Sequence, residues 1–340
     1  MKSNMFRYKL PKDRIAKYPP KVRGTSKLLV YNRRTKEIEH RKYFEIIEYI
    51  KSGDVVVLNE TQVLDARTYF LTSENREVEV LFLNREGEYW FCLIGGGRYV
   101  KDGQVLKSKE DETIKIKVIY RKDRGFLVQI LEGITPNDIF TKIGHTPIPP
   151  YMNRKEEDKD RERYNTVFSK QPGSSAAPTA SLNLTEEIIE KLENKGVKIV
   201  RINLEIGWGT FAPVNEENIE DHNIHEEYIN ISSQAAENIN KAKEKGGDIW
   251  AFGTTVVRAL ESAVEGDKIN PYEGKTDLYI HPRYRFKIVN HLVTNFHMPN
   301  STLILLVSAF VGINETKKLY NMAFKKDYKF LSYGDSMLII

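Results

Sequence analysis

Apolar positions along this chain repeat with two different periods, and the change between them outlines the fold. Thr185 suits a helix N-cap, Glu186 and Glu187 place negative charge in the first turn, and Ile188, Ile189 and Leu192 recur at helical spacing until Gly196. Residues 197–204 then read as a strand that delivers Gly207 and Gly209. The alternation continues with an amphipathic helix over 232–245 closed by Gly246 and Gly247, a buried strand over 249–252, and a helix opened by Gly253, Thr254 and Thr255 that runs through Glu261. Strands are expected over 276–280, 285–289 and 291–296, and Ser301 and Thr302 cap an apolar helix over 303–313. Nearer the N-terminus, 28–31 and 38–40 flank a polar turn as a hairpin, 44–50 has helical spacing, and 54–58 is a continuous apolar strand of the buried kind. Helices alternating with buried strands over 183–309 predict an α/β main domain, a mixed sheet with flanking helices.

Between 68 and 131 helical signals nearly vanish. Residues 77–83, 89–94, 113–120 and 125–131 are short strands, several of period two, separated by turns rich in glycine and charge. They predict a small antiparallel β-barrel inserted into the main domain. The expected division is 1–67 and 143–340 for the main domain and 68–142 for the barrel. Gly95, Gly96 and Gly97 read as a hairpin turn, with a phosphate-hugging loop as the alternative. Three prolines in 143–154 (IGHTPIPPYMNR) make the return segment extended and stiff. Residues 156–163 (EEDKDRER) read as a solvated charged loop.

Composition narrows the picture little. With 340 residues the chain can bury two cores. Lys and Arg total 52 against 47 Asp and Glu, a net charge of +5, which suits RNA without separating it from a merely lysine-rich surface. The single cysteine, Cys92, excludes an intrachain disulfide and a cysteine-built zinc site, and its apolar surroundings make it a buried filler. The N-terminus MKSNMFRYKL lacks an apolar core segment, and the run 303–313 is too short to span a bilayer, so a cytoplasmic location is expected.

Candidate chemistry gathers at the carboxyl ends of the expected strands. The small-residue segments 173–184 and 207–211 would let backbone N–H groups approach a ligand; tight turns are the alternative. Gly253, Thr254 and Thr255 open a helix whose positive end suits a carboxylate or phosphate, or simply a capped start. Asn59, leading a polar cluster after the buried strand, and Arg67 mark either a site or an ordinary turn. His222 and His225 with Glu227 suggest metal ligands, but the spacing is not that of a helical zinc motif, and proton transfer suits them better.

Many of these segments, in the same order, resemble the S-adenosylmethionine:tRNA ribosyltransferase-isomerase family of queuosine biosynthesis. The resemblance is carried by 54–59, IGHTPIPPYMNR, DRERYNTV at 160–167, Gly173 with 176–180, Gly207 with 209–213, 220–227, GTTVVRALES at 253–262, TNFHMPNST at 294–302 and SYGDSML at 332–338. It implies an α/β domain with an inserted barrel. It implies S-adenosylmethionine as a ribosyl donor and co-substrate, no other cofactor, and no metal. The implied acceptor is the aminomethyl group of a 7-deazaguanine at the tRNA wobble position, and the products are epoxyqueuosine-tRNA, adenine and methionine. A base must then remove a sugar C–H proton beside the sulfonium. His297 is the first choice, followed by His222 and His225. Gly253, Thr254, Thr255 and Arg258 are expected to hold the methionine carboxylate, and Asp277 and Asp335 the sugar hydroxyls. Pro178, Thr179, Thr210, Phe211, Asn295 and Tyr333 complete the substrate-binding set with Asn59, Arg67, Gly207 and Gly209. Arg154, Arg161 and Arg163 are expected to contact RNA.

The chain departs from the family pattern within the expected site. Asn183 and Glu205 stand where the pattern has histidines, and Trp208 where it has alanine. Gln62 replaces Arg, and Asp65 replaces Pro. Asparagine cannot titrate, and an ionised glutamate only accepts. Both positions remain substrate-binding candidates. The same reaction, a divergent paralogue with another acceptor or donor cleavage, and a non-catalytic tRNA-binding protein are the readings left open.

Overall fold

Strands that are apolar at every position need cover on both faces, and the main sheet provides it. Leu29, Tyr31, Val55, Val57 and Ala251 face one buried cluster, while Leu28, Val30, Val56, Leu58, Trp250 and Phe252 face another. The computed structural model describes residues 1–207 and 213–340. In order the chain forms β1 (Lys27–Tyr31), β2 (Ile38–Lys42), β3 (Val55–Asn59), β4 (Thr61–Val63), β5 (Arg67–Leu71), β6 (Glu77–Glu86), β7 (Tyr89–Gly95), β8 (Val105–Ser108), β9 (Lys115–Lys122) and β10 (Gly125–Ile130). There follow α1 (Pro136–Asp138), α2 (Asp158–Arg163), β11 (Gln171–Ser174), α3 (Glu186–Asn194), β12 (Lys198–Leu204), β13 (Glu227–Ile231), α4 (Ser233–Glu244), β14 (Ile249–Phe252) and α5 (Thr254–Ala263). The last elements are β15 (Val264–Glu265), β16 (Lys268–Ile269), β17 (Tyr272–Thr276), β18 (His291–Asn295), α6 (Thr302–Val311), α7 (Ile313–Lys325) and β19 (Ser336–Ile339).

The main sheet has nine strands in the order β17-β13-β12-β3-β14-β18-β19-β1-β2. Its centre, β12-β3-β14-β18, is parallel. The carboxyl ends of those strands therefore share one edge, where a ligand site belongs in an α/β sheet. The apolar side chains of α3 join the cluster on one face, and those of α4, α5, α6 and α7 the cluster on the other. Thr185, Ser232 and Ser301 cap α3, α4 and α6 through their side chains. The closed barrel, β10-β7-β6-β5-β8-β9, buries Phe70, Val80, Phe82, Cys92, Ile116 and Val128. The α/β sheet with an inserted antiparallel barrel is thus as the pattern predicts.

Several local expectations are overturned. Residues 285–289 are not a strand. Their segment is held instead by the buried Glu261 carboxylate, which accepts the backbone N–H groups of Lys287, Ile288 and Val289. The preceding strand ends at Thr276 rather than beginning there. Residues 158–163 are helical, because Asp160 accepts the Glu157 N–H and forms a fork with Arg154 (2.6 and 2.7 Å). The glycine triplet is no hairpin: β7 pairs with β6 and β10, and Gly96, at φ +77°, turns the chain away toward β8. Residues 43–48 form a 3₁₀ helix, and α7, β5 and β8 are elements not among those expected from the sequence.

Candidate active site

The carboxyl ends of β14 and β18 face the first segment after β11, and two cavities open between them. The larger, about 200 Å³, is walled by Arg67 and Leu81 from the barrel, by the proline segment 147–151, and by Tyr164, Ser175, Thr179, Asn295, His297, Met298 and Ser332. The smaller, about 20 Å³, takes in Pro178, Ile206, Gly253, Thr254, Thr255 and Thr294. Thr179, Asn295, His297 and Leu303 line both. The larger cavity has room for one planar base. The smaller holds about one water-sized group, such as a carboxylate oxygen. Among the described residues, Arg67 is the one charged side chain on the two linings.

Each wall has a local cause. Gly253 ends β14 at φ +113°, a conformation that other residues adopt with strain, and its N–H donates to the Val293 carbonyl (2.8 Å). That turn starts α5 at the cavity, where its first N–H groups have no intrahelical partner. Opposite, Ser174 Oγ accepts the Ile206 N–H (2.8 Å), and Ser175 Oγ donates to the Ile206 carbonyl (3.1 Å). These bonds seat 173–179 against the end of β12. A side chain at Gly173 would crowd the Glu205 carboxyl at 3.0 Å.

His297 is 7 % exposed and has no charged partner. Burial alone pushes its imidazole down to about 3, so the ring is neutral at ordinary pH. Its Nε2 stands 3.2 Å from Thr294 Oγ1, and its N–H donates to the Tyr320 hydroxyl oxygen (3.1 Å). Tyr8 donates to its carbonyl. Ring and backbone are fixed, and the ring remains available to accept a proton. Asn295 is 2 % exposed, and its Oδ1 has no hydrogen-bond partner among the described residues. An orphan acceptor on the wall of two cavities is what a ligand donor would satisfy.

The structure gathers Arg67, Pro178, Thr179, Gly253, Thr254, Thr255, Asn295 and His297 from the expected set. It gives others different surroundings. Arg258 lines neither cavity. It is buried, with Nη1 on Glu227 and Nε on the Leu278 carbonyl (3.1 Å). Asn59 clamps both the N–H and the carbonyl of Leu204. Asn183 donates to the Gly334 carbonyl (3.3 Å). Asp335 accepts from the N–H groups of Lys27 and Lys329, and Tyr333 donates to Asp160. Asp277 and His225 are exposed, and His222 pairs with Glu216 at 2.8 Å; none of the three borders the cavities. Glu205 sits beside Gly173, where burial raises its carboxyl, and Gly207 has open space where a side chain would be. Trp208, Gly209, Thr210 and Phe211 lie outside the described residues.

Arg154 is committed to Asp160, Arg161 to Asp65 (2.8 Å), and Arg163 to the Pro20 carbonyl (2.9 Å). Tyr151, Tyr164 and Ser332 are among the wall residues the sequence did not single out. The prolines ahead of Tyr151 were the available signal. Among the described residues no group of three or more His, Cys, Asp or Glu could hold a metal ion, and no helix is long and apolar enough to cross a membrane.

Known proteins resemble this chain over its whole length. A family described as "Queuosine biosynthesis protein" matches residues 3–339. The S-adenosylmethionine:tRNA ribosyltransferase-isomerases of Sulfurihydrogenibium sp. and Aquifex aeolicus are 44 % and 42 % identical, each alignment covering 100 % of both chains. The crystal structure of an S-adenosylmethionine tRNA ribosyltransferase from Thermotoga maritima is 33 % identical, with a TM-score of 0.57 over 99 % of this chain and 100 % of that one. The cavities at the strand ends therefore lie in a chain that belongs to the queuosine biosynthesis protein family.

Proposed function

We propose that this chain transfers and isomerises the ribosyl unit of S-adenosylmethionine onto the aminomethyl group of a 7-deazaguanine at the tRNA wobble position. The names of its relatives support the donor, the tRNA and the reaction class. The main domain, residues 1–67 and 143–340, holds the donor, and the barrel, 68–142, borders it. In the overall change the amine nitrogen gains a bond to a ribosyl carbon, and a ring-closing bond forms within the ribosyl unit using the electron pair left at the carbon that loses its proton. The glycosidic bond breaks to release adenine, and the C–S bond breaks to release methionine, sulfur keeping the electron pair. One sugar C–H proton and one amine proton are lost; adenine takes one and solvent the other. The products are epoxyqueuosine-tRNA, adenine and methionine.

The neutral, buried His297 at the junction of the two cavities carries this proposal. A proton beside a sulfonium is acidified, and a neutral imidazole can accept it where an imidazolium could not. Asn295 Oδ1 accepts from the adenine amino group or a sugar hydroxyl. The first N–H groups of α5, with Thr254 and Thr255, receive the methionine carboxylate, in place of Arg258. Tyr151 and Tyr164 offer aromatic faces to the sulfonium.

The test is adenine release from S-adenosylmethionine, with and without tRNA bearing the deazaguanine. Release is expected only with that tRNA, and His297→Ala should slow it about a hundredfold with the fold intact. Release without that tRNA would identify a divergent donor-cleaving paralogue. A protein that binds tRNA but not the donor would be a non-catalytic RNA binder.

A further inference from the structure

A third cavity, about 370 Å³ and open to solvent, lies behind the wall of the first. The segment 331–335 separates them: Leu331 and Ser332 line the larger active-site cavity, and Tyr333 and Asp335 line this one. The ring of Tyr333 packs edge-on against Tyr164, an active-site wall residue, with centroids 5.8 Å apart. On its outer side the cavity is built from the N-terminal segment, through Lys12, Lys17 and the 46 % exposed Tyr18. Ile15 is bridged to Phe330, and the Lys17 carbonyl accepts from Arg154 Nε (2.8 Å), so the segment is docked.

Three features of this cavity suit single-stranded RNA. Lys12 and Lys17 are exposed and paired with no carboxylate among the described residues, and Lys329 is a third ammonium on the lining. The acids Asp13 and Asp335 oppose them, but Asp335 already accepts two backbone N–H groups. Tyr18 is a 46 % exposed aromatic whose ring has the Arg154 guanidinium at 4.3 Å and Lys159 Nζ at 4.6 Å and whose hydroxyl donates to Glu157 (3.0 Å), an aromatic surface combined with cations. Ser26 is 7 % exposed on the cavity lining, and its buried Oγ has no hydrogen-bond partner among the described residues. A buried hydroxyl beside unpaired ammonium groups is a ready phosphate ligand.

We infer that this cavity binds the phosphate and base of a nucleotide adjoining the one that enters the active site. The inference rests on the function proposed above, because it takes tRNA as the substrate. The two cavities share a wall in which Tyr164 and Tyr333 are in ring contact, so a strand that places one base in the first cavity can lay its neighbour in this one.

The experiment measures tRNA binding by the full chain across a salt series, and steady-state adenine release, for Lys12→Ala/Lys17→Ala, Tyr18→Ala and Ser26→Ala. The double lysine variant should lower the slope of log K against log salt by about 0.7 for each phosphate that these two lysines neutralise. Tyr18→Ala should raise the tRNA KM about tenfold. Ser26→Ala should raise it in the same direction, and the S-adenosylmethionine KM should stay put throughout. If the wild type binds tRNA and releases adenine while all three variants match it in affinity and slope, the subsite is overturned and the function stands. Variants that lose donor and tRNA binding together, with a lowered Tm, would also overturn it by showing a structural role. A wild-type protein that binds no tRNA removes the proposed function and the subsite together.

Discussion

His297 shows how one buried side chain sets both chemistry and acid tolerance. In the unfolded chain a histidine takes up a proton near pH 6.5; in the folded protein burial delays this to about 3. Between those values the unfolded state binds one more proton than the folded state. Stability therefore falls as the pH drops through that window, by about 1.4 kcal/mol per pH unit from this residue alone. Replacing His297 with Gln removes the titration. Urea denaturation of the two proteins from pH 7 to pH 4 should show a flatter acid slope for His297→Gln; parallel slopes would mean that the imidazole is hydrated and titrates normally. The same burial keeps the ring neutral, so it is not an imidazolium acid, and it also makes the ring a weaker base than a free imidazole.

At the scale of elements, Glu261 takes over work that a strand ladder would have done. Both carboxylate oxygens receive the Lys287 N–H, one receives the N–H groups of Ile288 and Val289, and the other the Tyr284 hydroxyl (3.1 Å). Glu261→Gln would turn an amide NH₂ toward donors. It should cost about 3 kcal/mol by chemical denaturation and speed amide exchange at 287–289. Unchanged exchange there would show that the segment is held by packing alone. The segment 285–289 (RFKIV) reads as a strand, because no pattern reveals that a glutamate 26 to 28 positions earlier collects its amides. The same limit applies to Arg258, whose partner Glu227 is 31 positions away. It applies also to 158–163, where Asp160 is buried inside what looks like a solvated charge run. By contrast α3, β3 and β14 are legible because their own periodicity and caps specify them. Of the site, the glycine and threonine turn at 253–255 and the segment 294–297 are legible, since each directly ends a buried strand. Tyr151 and Tyr164 are not, because nothing local says which cavity an aromatic will wall.

For the whole molecule, the question is how a barrel inserted after β4 forms one wall of a cavity in the main domain. Arg67, the first residue of β5, answers much of it. Its backbone exchanges two hydrogen bonds with His145 (3.2 and 2.7 Å), which tie the entry of the barrel to its exit. Its Nη2 donates to the Ile148 carbonyl (2.9 Å), and its Nε pairs with Glu79 on β6 (3.2 Å). One guanidinium thus fixes the proline segment that carries Tyr151 relative to the barrel. Nearby, His145 sits between Glu110 of the barrel and Glu156 ahead of α2, whose carboxylates raise its imidazole against the opposing effect of burial. Arg67→Lys keeps the charge but replaces a planar fork with a point donor that cannot reach both partners. The backbone bonds to His145 survive, so Tm should change little. The wall at 147–151 should shift, and a displacement of that kind costs up to about a hundredfold in rate when it misplaces a reacting group. Adenine release by Arg67→Lys should therefore fall at least tenfold at saturating donor and tRNA, an order of magnitude within that range. Full turnover in this variant would show that the stiffness of the prolines suffices without the arginine.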